Sequence, residues 1–402
     1  MARATSAGGV AGAQRLTALR HWIRVGLFWE TLVVAIGFGI VLITLANQPV
    51  LGYVLIGLSL IIALIWGIPF GRMTLAERVS RRMSYSRRNR RRESAGSLPA
   101  DLEPLGEWVP GLTVNQTRSA RGDDVGVITD GNSWTALLGL LSDDNLVGDA
   151  QDTIDLDALS GLTVQDDIVF AALQVITYTA PAPATMMLLP NTPAVESYRQ
   201  IAGAQVPPSV RRTWIGVRLD PRLCLEAVAS RGASNEGVYA TLRFGLHRVQ
   251  SALKRQGIST RELTAREIYD VLALTSGAIA DQTTFDDGAL RTAEGWNHWQ
   301  CDDFFHCGRQ ISNWGESGSS GFQAVLDALN SAPIIFGVTS YTLDSSSRLA
   351  GGVRVAAPSA EQAESSMELL EEQLKGTVRF APAGGDQVPA LIGTVPLGRE
   401  IE

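Results

Sequence analysis

"RTWIGVRLDPRLCLEAVASRG", residues 212–232, is the stretch from which the fold becomes legible. Arg212–Asp220 mixes β-branched and aromatic residues and is closed by Pro221, which predicts a strand. Beyond it, Val238, Leu242, Leu246, Val249 and Leu253 recur at steps of 4, 4, 3 and 4, the apolar face of a helix that Gly257 ends. "ISTREL" (258–263) predicts a short strand. Thr264 and Glu267 then form a capping box for the helix "AREIYDVLAL" (265–274).

The same grammar continues to the C-terminus. A strand is predicted within "HWQCDDFFHCGRQISNW" (298–314), a helix at "GFQAVLDALN" (321–330), and strands at "PIIFGVTSYTL" (333–343) and "GGVRVAA" (351–357). A last helix follows Ser359, with Ala360, Ala363, Met367, Leu370 and Leu374 on one face and Ser359/Gln362 as its capping box. Gly376 stops it, and "TVRFA" (377–381) returns to the sheet. This strand–helix–strand–strand–helix–strand order is that of a ferredoxin-like fold, expected for the C-terminal half.

Upstream, "DVGVITDGNSWTALLGL" (124–140) predicts a hairpin about Asp130-Gly131. "DIVFAALQVITYTA" (167–180) predicts a buried strand, followed by a proline-punctuated loop over 179–194. Residues 93–120, rich in Pro, Gly and Ser without a sustained period, read as a linker. The expectation is an α+β domain over 121–402, a mixed sheet with helices, in two subdomains at 121–205 and 206–402.

The N-terminal quarter is a different kind of sequence. Val25–Ala46 and Val50–Phe70 are apolar runs of 22 and 21 residues, separated by Asn47-Gln48-Pro49 and carrying Glu30 alone among charges. At ~1.5 Å per residue each reaches about 30 Å, the thickness of a bilayer core. They are too long for a signal peptide, and Pro49 suits the first position of a helix. The expectation is a two-helix transmembrane hairpin over 25–70, after a basic segment at 1–24 and before an Arg-rich juxtamembrane segment and linker at 71–120.

Charge orients that hairpin. Arg15, Arg20 and Arg24 precede it; Arg72, Arg78, Arg81, Arg82, Arg87, Arg88, Arg90, Arg91 and Arg92 follow it. Positive-inside bias places both termini in the cytoplasm of a two-span inner-membrane protein. These arginines, with Glu30, are the candidate membrane-interface and partner-docking residues. Anionic lipid headgroups are their first expected partner and an acidic protein their second. Glu30 either snorkels beside Arg24 or meets another membrane subunit. Ala35 and Gly39 form a small-xxx-small pair that admits a close helix.

Residues 1–92 hold 13 Arg and 2 Glu, whereas residues 93–402 hold 21 Lys/Arg and 39 Asp/Glu. The acidic part would repel phosphate, so nucleic acid is not expected as a partner. Three cysteines, Cys224, Cys301 and Cys307, form no disulfide framework and fit a reducing compartment.

Catalytic signatures are sparse. There is no P-loop, and Ser317, Ser319 and Ser320 in "GESGSSG" lack the glycine pattern of a nucleophile elbow. His298, Cys301, Asp302, Asp303, His306 and Cys307 are the one constellation with metal-ligand chemistry. Read as a single strand, it puts Cys301, Asp303, Phe305 and Cys307 on one face and Asp302, Phe304 and His306 on the other, which disperses the ligands. His247 reads as a surface side chain. The paired acids Asp123/Asp124, Asp143/Asp144 and Asp286/Asp287 read as solvated loop charges. No catalytic, cofactor-binding or metal residue is assigned.

The layout resembles EccE, the E component of the type VII (ESX) secretion membrane complex of mycobacteria and related actinobacteria. An apolar N-terminal pair, an arginine-rich exit, "DVGVITDGNSW", "RRTWIGVRLDPRLCLEAVASRG" and "GISTRELTAREI" carry the resemblance, most specifically from Arg211 to Glu267. It implies a non-enzymatic structural subunit at the periphery of the machine, with a cytosolic domain and without a cofactor. EccB, the ATPase EccC and multi-span EccD would be its partners. The reading from another class is a membrane-tethered enzyme with its site around Cys301–Cys307.

Overall fold

The strand expected at 212–220 is Val210–Leu219, and its pairing leads into a single twelve-stranded sheet. The computed structural model describes residues 73–90, 98–118, 122–131, 133–141, 154–181, 209–232, 234–279, 290–345 and 349–399. It also describes scattered positions between 33 and 70 and between 193 and 200. The chain divides into two units, residues 1–87 and 88–402.

In chain order the elements begin with helix α1 (Leu75–Arg90), in which unit 1 ends, and the one-turn helix α2 (Glu103–Gly106). A meander follows: β1 (Leu112–Arg118), β2 (Asp124–Asp130) and β3 (Trp134–Leu140). Then come α3 (Leu156–Ser160), β4 (Ala172–Ala180), β5 (Val210–Leu219), α4 (Leu225–Arg231), α5 (Ser234–Arg255), β6 (Thr260–Glu262) and α6 (Ala265–Ser276). A second meander is β7 (Thr292–Glu294), β8 (Trp299–Cys301) and β9 (Phe304–Asn313). Last are α7 (Gly318–Ser331), β10 (Phe336–Asp344), β11 (Leu349–Ala357), α8 (Ala360–Gln373), β12 (Arg379–Phe380) and α9 (Gln387–Thr394).

These elements repeat. β1–β2–β3–α3–β4–β5–α5–β6–α6 has the same order as β7–β8–β9–α7–β10–β11–α8–β12–α9, with α4 as an insertion in the first copy. The pairing repeats too. In the first copy β5 lies between β3 and β4, and β6 joins the far side of β3. In the second, β11 lies between β9 and β10, and β12 joins the far side of β9. The copies are joined antiparallel through β4 and β10, from Thr179↔Gly337 to Ala172↔Asp344. One sheet with two quasi-equivalent halves results.

Period-two patterning gives the sheet two apolar faces. On one face Ile215 and Val217 of β5, with Val353 and Val355 of β11, pack beneath α3, α4, α5, α7 and α8. On the other, Trp214, Ile176, Val338 and Ala356 pack beneath α2, α6 and α9. Buried on both sides, β10 is buried at every one of its nine positions. Both predicted N-cap residues, Thr264 and Ser359, cap their helices. Thr264 and Glu267 make the full capping box of α6, and Gly277 ends that helix at φ +79°. Ser359 caps α8 by accepting from the Gln362 amide.

The expected fold class is corrected on three points. The two-helix transmembrane hairpin is not seen, because no helix among the described residues is long and apolar enough to cross a membrane. Helical positions are described in 25–70 only at scattered points such as Val33, Val41, Val54 and Ile61; the remainder lies outside the described residues. The continuous N-terminal helix that is described, α1, has 16 residues and is rich in arginine, so neither its length nor its polarity suits a bilayer core. The sheet is also not mixed, since every described strand pair is antiparallel. Nor do the C-terminal strands form a separate ferredoxin-like half, because β10 continues directly into β4. The fold is a large antiparallel sheet with helices on both faces.

Part of the stretch read as a linker is structural. Leu102, Leu105 and Val109 are fully buried, and β1 begins at Leu112. Immediately past α2, Glu107 accepts from the Arg291 amide (2.7 Å) and from Thr292 Oγ1 (2.5 Å), and Trp108 Nε1 donates to Thr292 Oγ1 (2.8 Å). Thr292 opens β7, whereas β1 lies at the opposite edge of the sheet. A few residues of chain therefore bridge the two outermost strands, so the sheet must curl around the core beneath α6 and α9. The Arg291 guanidinium, almost wholly buried, locks this clasp by pairing with Asp302 (2.6 Å) and Glu103 (3.4 Å).

Candidate interaction surface

Of the arginines singled out by sequence, six lie on α1: Arg78, Arg81, Arg82, Arg87, Arg88 and Arg90. Arg78, Arg82, Arg87 and Arg90 are exposed. Arg15, Arg20, Arg24, Glu30, Arg72, Arg91 and Arg92 lie outside the described residues, as do Ala35 and Gly39. The proline-punctuated segment after Pro181 also falls largely outside them.

Arg88 differs from its neighbours. Its Nη2 donates to Glu294 Oε1 (2.9 Å) and its Nε to Oε2 (3.3 Å), a fork on one carboxylate. The same Nη2 also donates to the Gly385 carbonyl. Glu294, on β7, has a side chain with no solvent exposure. Its burial pushes the carboxyl above the usual range, while Arg88 and the Val388 amide pull it back down. Spacing alone could not separate Arg88 from the other arginines, because its partners lie more than 200 residues away.

The His/Cys/Asp constellation is dispersed, by a route different from the single-strand reading. Cys301 pairs with Phe304 across a two-residue turn, so "WQCDDFFHC" is a hairpin. Asp302 takes φ +49° to make that reversal, a conformation to which Asp is well suited. The turn puts Cys301 and His306 on the α6/α9 side and Cys307 on the opposite one. His298 goes to Glu364 (3.3 Å) and Asp302 to Arg291. Among the described residues no three His, Cys, Asp or Glu converge as metal ligands. Burial pushes the Cys307 thiol up to about 11 and raises that of Cys301 further, so both stay protonated and poorly nucleophilic.

The remaining notable cluster, around Arg354, is buried in the sheet. Arg354 of β11 donates to His306 Nδ1 (2.6 Å), Thr394 Oγ1 (2.9 Å) and the Thr275 carbonyl. Burial depresses its pKa to about 9 and holds His306 well below the usual histidine range. His306 is thus a neutral acceptor, and its Nε2 has no partner among the described residues. This group joins the ends of α6 and α9. A cavity of about 10 Å³ beside Gly308, Gln310, Ala383 and Gln387 has room for roughly one water. Ser317 is the N-cap of α7, accepting from the Ser320 amide (3.1 Å), rather than a nucleophile at an elbow.

The side chains singled out above are engaged in packing, pairing and capping within a three-layer antiparallel scaffold. Residues 207–308 match the model of the family described as "Putative type VII ESX secretion system translocon, EccE", and the match supports the EccE identification. The matched range runs from the start of β5 to the middle of β9 and contains Arg211–Glu267, the most specific part of the resemblance. No curated protein matches the chain.

Proposed function

We propose that the protein is a non-catalytic subunit of a type VII (ESX) secretion translocon, held at the inner membrane with its acidic sheet domain in the cytosol. The observation that carries this reading is the EccE match over residues 207–308. Charge supports the placement. Exposed arginines of α1 offer a basic surface to anionic headgroups, each worth about 1 kcal/mol near a membrane. The acidic remainder is repelled from the same surface. Its partners in this reading are the other membrane subunits, EccB, the EccC ATPase and EccD.

The test is purification of the tagged full chain from its native membranes, followed by native gel and mass spectrometry. Co-migration with several secretion subunits at a fixed ratio is expected. A protein that fractionates alone, or with a turnover of its own, would overturn the assignment.

A further inference from the structure

Glu294 sits in a site more elaborate than a surface ion pair requires. Three pieces of chain build it. β7 supplies the buried carboxylate. The start of α9 supplies the Val388 amide, which donates to Glu294 Oε1 (3.1 Å) and fixes the carboxylate's rotation. The turn before α9 supplies the Gly385 carbonyl.

That turn is itself shaped for the purpose. Gly384 and Gly385 take φ +106° and +78°, a region that favours glycine. A Cβ on either would lie 2.5 Å or 2.8 Å from the Trp296 ring. The Gly385 amide donates to the Trp296 carbonyl (2.7 Å), so the turn is pinned to Trp296 by backbone and ring together. Its carbonyl is thereby held beside the carboxylate, where one planar guanidinium can reach both. Arg88 does so.

We propose that Glu294, the Gly385 carbonyl and the Trp296-backed glycine turn form a receptor for an arginine side chain, which selects Arg88 from the run. The ligand class is a guanidinium. An ammonium lacks the fork needed to meet the carboxylate and the carbonyl together. The Arg88 guanidinium supplies this buried carboxylate with a countercharge that offsets the cost of its burial. Arg88 therefore has a task separate from docking to headgroups. This goes beyond the proposed function and does not depend on it.

The experiment compares Arg88→Ala, Arg88→Lys and Arg87→Ala in the full chain by amide hydrogen exchange at Gly385 and Val388. Arg88→Ala is expected to speed exchange there at least tenfold, Arg88→Lys by a smaller factor, and Arg87→Ala not at all. N-acetyl-arginine amide at millimolar concentration should restore protection to Arg88→Ala saturably, N-acetyl-lysine amide should not, and Glu294→Gln should abolish the rescue. Equal exchange in the Arg87 and Arg88 variants, or equal rescue by the two amides, would overturn the proposal. Should Arg88→Ala not fold, Arg88→Lys decides: exchange matching the unmodified chain would show that any cation suffices.

Discussion

Arg218 and Arg354 hold corresponding places in the two halves of the sheet, and each donates to the end of the other half's last helix. Arg354 reaches the Thr275 carbonyl at the end of α6, and Arg218 reaches the Leu397 carbonyl just past α9 (2.6 Å). Each closes a Gly-Val-Arg triplet, 216–218 on β5 and 352–354 on β11. The sheet register agrees, with Gly216 opposite Gln174 and Gly352 opposite Ser340 on the two joining strands. Neither half is thus complete in isolation. Gln174 reinforces the exchange by donating to the Gly393 carbonyl and accepting from the Gly398 amide.

The two arginines are not equally replaceable. Arg218 shares its work: it pairs with Asp130 (2.9 Å), which Arg399 also bonds, and Thr135 Oγ1 also donates to the Leu397 carbonyl (3.0 Å). Arg354 has no carboxylate partner among the described residues and is fully buried, so its loss leaves a void and several orphaned acceptors. Arg354→Ala should cost about 2–4 kcal/mol. Arg218→Ala should cost at least about 1 kcal/mol less, because substitute donors are in place. Urea unfolding followed by tryptophan fluorescence measures both, and equal losses would contradict the ranking.

His306 makes the fold sensitive to mild acid. Its folded pKa is depressed, first by burial and then by the Arg354 charge. Below about pH 6.5 the unfolded chain takes up a proton that the folded chain refuses. Stability contributed by the neutral ring is therefore present above that pH and is lost as pH falls, by at most about 1.4 kcal/mol per pH unit. Unfolding midpoints between pH 5 and 7.5 should climb more steeply for the unmodified chain than for His306→Gln, whose side-chain oxygen still accepts from Arg354. Parallel curves would refute the assignment.

Much of this architecture was legible because local signals agreed with the final packing. The Thr264/Glu267 box, the Asp130-Gly131 reversal and the apolar face of α5 are all set within a few residues, and all are present. The duplication was hidden because it resides in pairing order, though the two Gly-Val-Arg triplets mark it in sequence. The clasp was missed because its Pro- and Gly-rich composition imitates a linker, while Glu107 finds its partners at Arg291 and Thr292. Of the N-terminal apolar runs only scattered helical positions fall among the described residues, and no described helix there is long and apolar enough to cross a bilayer.

The clasp makes a separate prediction. Glu107→Ala would leave the Arg291 amide and the Thr292 hydroxyl without that carboxylate, costing about 1–3 kcal/mol for each buried group left unsatisfied. The effect should be local first. Hydrogen exchange should accelerate in β1 and β7 before it does in β4 and β10, which lie at the centre of the sheet. Uniform acceleration across all four strands would show that residues 98–109 do not act as a closure of their own.

The final prediction concerns the crossing of α5 over the sheet, inside the segment matched to EccE. Gly245 faces Phe170 so closely that a Cβ there would lie 1.8 Å from the ring's Cζ. Phe170 is fully buried just before β4, so the ring cannot swing out to solvent. Gly245→Ala should therefore destabilise by about 1–3 kcal/mol through overpacking, even though alanine is the better helix former by nearly 1 kcal/mol. Phe170→Leu alone should cost about 1–2 kcal/mol for the smaller side chain. Combined, the shortened side chain makes room for the methyl group, and the double variant should be more stable than the sum of the single losses by at least about 1 kcal/mol. Urea midpoints of the four proteins complete the cycle. Strict additivity would mean that contact with Phe170 is not what requires glycine at 245.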